Sequence, residues 1–299
     1  MWWGSSDPRL SYREIAQRLR VDPTTVWNRF RTWRREGFLL GYSVVPNPTL
    51  FGIGLAAGSV RIDNPKAKEG FFRDLSSVEG AAFAVDQVGQ WVVVMFVVES
   101  ERGLKRSVAQ TRRLAGVSEM EPCIPFHCPP TTMVPGSRDW QVLEALRTHP
   151  TAAVSECAGS IGMSSKAFAR RCNALIADKA VWSIPRLDFG CYRGATVARF
   201  LIWLDSKVET QRVLNRLVKT FPSFILLEDQ SDIPDTGSRP MKLLSIFLQL
   251  SSTAEIEDVE RSIGDLPGVM TAEVYFPRQN YVYDDWFVER IHSRIRMRA

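Results

Sequence analysis

Apolar residues return along the chain with two different periods, and the change from one to the other marks where helices give way to strands. In residues 12–19, Ile15, Ala16 and Leu19 share one side of a 3.6-residue repeat, which predicts a short amphipathic helix. Residues 24–36 place Val26, Phe30 and Trp33 at i, i+4 and i+7, and Gly37 follows where a helix should stop. Residues 38–48, FLLGYSVVPNP, predict an extended hairpin or wing closed by Pro46 and Pro48. Alternating and β-branched runs then occupy 55–62, 81–86, 91–98 and 117–125, enclosing helical stretches at 66–75 and 103–114. That order, βαββαβ, predicts a ferredoxin-like layer of two helices on an antiparallel sheet.

The plan recurs. A shift of 142 residues aligns Ala16 with Ala158, Val26 with Phe168, Arg29 with Arg171, Trp33 with Leu175, Gly52 with Gly194 and Asp63 with Asp205. The repeat rests on hydrophobic register, because identities are sparse. A Gly/Pro/Ser/Asp cluster at 231–240, SDIPDTGSRP, predicts a loop insertion, after which the register resumes at a shift of 152 with Pro125 on Pro277. Predicted strands and helices of the second copy are 196–205, 208–217, 224–228, 243–250, 254–263 and 269–276, and an amphipathic segment at 285–296 trails them. The fold class is therefore α+β, with two winged helix-turn-helix units each followed by a βαββαβ domain. The boundaries fall at 1–48 for the first helix pair, 49–128 for the first sheet domain, 129–137 for a Pro-rich linker, 138–190 for the second helix unit, 191–280 for the second sheet domain and 281–299 for the terminal helix.

Composition adds a bias in where charge sits. The chain has 299 residues and a net charge of +5. Residues 1–40 hold eight arginines and no lysine against Asp7, Glu14, Asp22 and Glu36, so nearly the whole excess lies there. Five cysteines without a preceding secretory apolar segment predict reduced thiols in a cytoplasm. The longest apolar run, 91–98, is too short to span a bilayer. Cys123, His127 and Cys128 lie close together but lack a fourth ligand, so no metal site is assigned.

Opposite Val26, Phe30 and Trp33 the second helix carries Thr24, Thr25, Asn28, Arg31 and Arg35, and Arg34 is a further candidate DNA contact. Arginine can fork onto guanine O6 and N7, asparagine onto adenine N6 and N7, and hydroxyls at a helix start suit phosphate. A solvated charged face is the alternative reading of the same residues. Trp27 is expected to be a partly buried aromatic. In the second copy the corresponding face offers Lys166 and Arg170 and fewer arginines.

The residues LSYREIAQRL, TTVWNRFRTWRREGFLLGY and the following Asn-Pro and Phe-Gly, ahead of βαββαβ, resemble the Lrp/AsnC (feast/famine) transcription regulators. The resemblance implies an N-terminal winged helix-turn-helix that binds double-stranded DNA and a RAM domain that pairs with a second RAM domain, here within one chain. It also implies a cytoplasmic, nucleoid-associated prokaryotic protein and a structural role for Arg29, outside the base-reading set. Family members begin with a further helix, which the second copy supplies at Asp139, Val142, Leu143 and Leu146; its counterpart in the first copy would mostly precede Met1 unless Trp2 and Trp3 substitute. Family effector pockets place an acid in the hairpin that here reads Val88-Gly89-Gln90-Trp91, so no cofactor is expected and an amino-acid effector is only allowed for. Tandem relatives include siroheme decarboxylases, which bind a tetrapyrrole through Arg, His and Tyr. With only His127, His149 and His292 and no positioned base pair, the expectation is that the chain is not an enzyme. A pure interaction module is the third reading.

Overall fold

The element order of the computed structural model runs through the same sequence twice, and it describes residues 11–126, 128–221, 224–233 and 241–296. The first pass is α1 (Tyr12–Leu19), α2 (Pro23–Arg35), β1 (Leu39–Pro46), β2 (Gly54–Ile62), α3 (Lys68–Leu75), β3 (Ala81–Gln87), β4 (Trp91–Val98), α4 (Glu101–Thr111), β5 (Val117–Met120) and β6 (Ile124–Phe126). The second opens with a three-helix group, α5 (Ser137–Thr148), α6 (Val154–Ser160) and α7 (Ser165–Ala177), and continues through β7 (Val181–Leu187) and β8 (Thr196–Asp205). It is completed by α8 (Thr210–Thr220), β9 (Phe224–Ile233), β10 (Met241–Leu250), α9 (Ile256–Gly264), β11 (Val269–Tyr275), β12 (Pro277–Val282) and α10 (Asp285–Arg296). Trp2, Trp3, His127 and positions 234–240 of the insertion lie outside the described residues; 231–233 belong to β9. Two units interleave along the chain. One holds 54–126 and 192–281, the other 11–53, 128–191 and 282–296.

In the sheet unit the strands take the orders β5-β2-β4-β3 and β11-β8-β10-β9, which is the ferredoxin-like arrangement twice over. Side-chain alternation builds the second core: Ala198, Phe200, Ile202 and Leu204 of β8 and Leu244, Ile246, Leu248 and Leu250 of β10 point to one face, where Val213 and Leu217 of α8 and Val259 and Ile263 of α9 cover them. In the first domain α3 buries Phe71, Phe72 and Leu75, whereas α4 buries Ser107 and Thr111. Ser107 Oγ donates to the Glu79 carbonyl at 2.6 Å, so this polar contact is satisfied. Lys68, 3% exposed, donates to Asp86 Oδ1 at 2.7 Å, the Gln87 carbonyl at 2.7 Å and the Trp91 carbonyl at 3.0 Å. All three ammonium protons are used, the condition under which a buried lysine is tolerated.

The predicted strand at 117–125 divides into β5 and β6, both paired with β2, at Val60–Ile62 and Leu55–Ala57 respectively. The division coincides with Cys123, whose Sγ would lie 2.9 Å from a Cβ placed on Gly58. Beyond β3 the first sheet gains β12 from the second half of the chain, with Val88 N–H donating to the Phe276 carbonyl at 2.8 Å. Tyr281 of β12 stacks on Phe72 with centroids 4.1 Å apart and rings 13° from parallel. On the other side β6 runs beside β9. Because β6 and β12 occupy matching places in the repeat, as do β3 and β9, one kind of edge contact is made twice.

The helix unit departs from expectation at the wing. Residues 39–46 do not turn back on themselves; β1 is a single strand, and its ladder partner is β7, 142 residues further on in the repeat. Tyr42 lies opposite Pro185 and Ser43 opposite Ile184, so the ladder maps onto itself when the copies are exchanged. Asn47, fully buried, ends the strand by donating from Nδ2 to the Pro129 and Lys179 carbonyls at 2.8 and 3.0 Å. The linker is held in turn by Asp178, which accepts from the Thr132 and Met133 backbone N–H groups.

The terminal helix does not trail away. Phe287 and Ile291 are fully buried, Ile291 within the core that Leu143, Leu146, Phe168, Cys172 and Leu175 form. Trp286 meets Phe51 edge-on at 5.4 Å and Phe51 meets Trp140 at 5.3 Å. Arg147 bonds Glu144 at 2.8 Å and Asp284 at 2.8 Å, tying the start of α10 to α5. An apolar i, i+4 stripe at 287 and 291 needs a partner, and α5 offers it.

Candidate nucleic-acid interface

Local chemistry sets the angle between α1 and α2. Ser11 caps α1 by accepting from Glu14 N–H at 3.2 Å, while Glu14 Oε2 accepts from Ser11 N–H at 2.9 Å, a reciprocal capping box. Arg20 turns the chain out of α1 in the left-handed region, at φ 55°. Asp22 then caps α2 by accepting from Thr24 N–H at 2.7 Å, with Pro23 in the first turn. Hydrogen bonds from Thr24 and Thr25 hold the Asp22 carboxyl below the usual carboxylate range. Gly37, at φ +79°, ends the helix region.

The inward face of α2 is an aromatic chain rather than a closed core. Val26 is buried at 5% exposure. Tyr12 of α1 meets Phe30 at 5.5 Å, Phe30 meets Trp33 at 5.4 Å, Trp33 meets Phe38 at 5.6 Å and Phe38 meets Phe189 at 5.8 Å. These contacts clamp α2 from behind, and tilted or edge-on pairs are the favoured aromatic geometry.

The opposite face is open. Thr24, Thr25, Asn28, Arg31, Arg34 and Arg35 are all exposed, although Arg34, one turn after Phe30, lies on the flank of the inward face rather than opposite it. Thr24, Asn28, Arg31 and Arg35 lie at i, i+4, i+7 and i+11, a continuous stripe. Arg34 and Arg35 occupy the last turn, where cations also suit the helix dipole. Trp27 is 42% exposed on the flank of this stripe, with the Arg31 guanidinium carbon 4.8 Å from its ring centroid. Helical spacing put it beside Arg31 from the outset; only the inward orientation of Val26, Phe30 and Trp33 left it outside.

In the second unit Lys166 and Arg170 are likewise exposed on α7, which Ser164 caps through Ala167 N–H at 3.3 Å. Between them and the core sits Arg171, whose Nη1 bonds Asp139 Oδ1 of α5 at 2.7 Å. Its repeat partner Arg29 is exposed and makes no ion pair among the described residues. The structural role that the resemblance implied for Arg29 is thus filled in the second copy by Arg171. In the sheet unit the Val88–Trp91 hairpin is braced by Gln90, which accepts from Arg61 at 3.1 Å and donates to the Asp63 carbonyl at 2.9 Å.

Residues 5–39 match a family described as winged helix-turn-helix DNA-binding. No curated protein matches the chain by sequence. Among solved structures the chain resembles the siroheme decarboxylase NirDL, at 11% identity and a TM-score of 0.51 over 97% of this chain and 96% of that one. It also aligns with E. coli AsnC at 16% identity and a TM-score of 0.29, over 48% of this chain and 91% of that one. For B. subtilis LrpC the values are 14% and 0.30, over 48% and 94%. The N-terminal segment is a winged helix-turn-helix, and the whole-chain architecture is one that an enzyme also adopts. That overturns the expectation, drawn from three histidines, that the chain is not an enzyme: a fold shared along its full length with a decarboxylase cannot be set apart from enzymes by counting one residue type.

Proposed function

We propose that the protein is a sequence-specific, double-stranded-DNA-binding transcriptional regulator of the Lrp/AsnC type that reads the major groove with α2. The observation that carries this reading is the open stripe of Thr24, Asn28, Arg31 and Arg35 opposite a clamped aromatic face. A recognition helix needs both: a rigid back and a front of planar, fork-shaped donors. In this reading Thr24 and Thr25 meet phosphate at the helix start, Asn28 and Arg31 meet base edges, and Arg34 and Arg35 meet the backbone beyond. Lys166 and Arg170 form a second, weaker reading head. The two sheet domains act as the two subunits of a homodimeric regulator would, a reading supported by the edge contacts of β12 with β3 and β6 with β9. Such a pseudo-dimer has unlike reading heads and so prefers a site without perfect inverted symmetry.

The test is selection of bound duplexes from a random pool, with and without an amino-acid mixture, followed by binding at increasing salt. The expected result is an enriched asymmetric motif whose affinity falls steeply as salt rises. A pool that stays random refutes sequence-specific reading, and enrichment of perfect inverted repeats alone refutes the unlike heads. A second reading, a tetrapyrrole-decarboxylating enzyme, is favoured by the full-length likeness to NirDL. Titration with siroheme distinguishes it: saturable change of the tetrapyrrole absorbance spectrum at micromolar protein, with decarboxylated product, supports the enzyme.

A further inference from the structure

We propose that Trp27 is a positioning residue for Arg31, and that this stacked pair sets base preference while Arg34 and Arg35 supply affinity without preference. The proposal rests on the DNA-reading role of α2 given above. The Trp27 indole is 42% exposed, beside the helix face that Val26, Phe30 and Trp33 turn inward. Its ring lies 4.8 Å from the guanidinium carbon of Arg31, one helical turn further on, well inside cation–π range. A guanidinium lying over a ring uses its flat face, and its in-plane N–H donors remain directed outward. Those are the donors that fork onto guanine O6 and N7. Fixing the side chain before DNA arrives removes rotamer freedom that would otherwise be lost on binding. Among the described residues, Arg34 and Arg35 have no ring contact of this kind, and they sit in the last helical turn. The second copy has Ala169 and Asn173 at the positions matching Trp27 and Arg31, so the device belongs to the first reading head.

The experiment measures the ratio of affinities for the selected duplex and a scrambled duplex at fixed salt, in the full chain. Trp27→Ala is expected to lower that ratio about two- to fivefold, the factor that an exposed cation–π contact corresponds to. Trp27→Phe, which keeps a ring face, restores most of it, and circular dichroism checks that each variant is folded. Trp27→Ala in an Arg31→Ala background adds no further loss, because the tryptophan acts through the arginine. The salt slope stays at the wild-type value, since no phosphate contact is removed. An unchanged ratio in Trp27→Ala, or a loss that adds fully to that of Arg31→Ala, overturns the proposal. Failure of the unsubstituted protein to prefer any duplex overturns instead the DNA reading on which it rests.

Discussion

The two winged-helix copies have spent their residues differently. In the second, α5, α6 and α7 close around Leu143, Phe168, Cys172 and Leu175, all fully buried, and α10 adds Ile291. In the first, among the described residues, only Ala16 and Val26 are buried within α1 and α2, and Phe30 and Trp33 are half-buried in an aromatic chain. Their outer faces are inverted in the same sense. Where α2 has Arg31, Arg34 and Arg35, α7 has Asn173, Ile176 and Ala177 at the matching positions. Among the described residues, the second copy encloses a contiguous core and the first exposes an arginine-rich face.

The sharpest way to break this contrast is to remove a core side chain from each copy. Phe168→Ala should cost about 3–5 kcal/mol of unfolding free energy in urea, and Phe30→Ala, half-exposed, clearly less. Equal losses would mean that the first copy has as deep a core as the second. Next in size is the reading face: Arg31→Ala should cost about 1–3 kcal/mol of binding to the selected duplex, whereas Arg170→Ala should cost less, as measured by fluorescence anisotropy at one salt concentration. Equal effects would erase the ranking of the two heads. A third pair uses the repeat itself. Arg171→Ala breaks the 2.7 Å bond to Asp139 and should destabilise by about 1–2 kcal/mol, between an exposed ion pair and a buried charged hydrogen bond. Arg29→Ala should stay within about 0.5 kcal/mol of wild type, as exposed substitutions do.

The smallest effect concerns the ties between α5 and α10. Hydrogen bonds from Arg147 hold the Glu144 carboxyl below its ordinary value. The unfolded chain therefore takes up this proton at higher pH than the folded one does. The stability Glu144 contributes is fully present above the unfolded-state value of about 4.3 and is lost as pH falls through the lower, folded-state one. Glu144→Gln should flatten the acid limb of a stability–pH curve in that window and leave neutral-pH cooperativity intact. An unchanged acid limb would show that the Arg147 contacts do not bear on stability.

Much of this was legible before any coordinates. Helix α1, strands β4 and β8 and helix α10 run over the residues that periodicity picks out, and the exposed face of α2 follows from which side Val26, Phe30 and Trp33 take. Three features were not. Residues 38–48 were read as a hairpin or wing, and β1 pairs with distant β7; α10 was expected to trail and instead buries Phe287 and Ile291; Trp27, expected to be partly covered, has the Arg31 guanidinium over its ring. Each depends on which distant surface a segment meets, and a local period says only that some apolar partner is required.

Helix and strand identity, the duplicated order of elements and the arginine-rich stripe were determined by the amino acids in their local order, because 3.6- and 2-residue periods dictate which side chains share a face. The choice of partner for each edge and face was decided by tertiary structure alone: β12 beside β3, β1 beside β7 and α10 against α5. Backbone donors at a strand edge are the same for every sequence. What selects among possible neighbours is the set of side chains that can be buried together once the whole chain has closed.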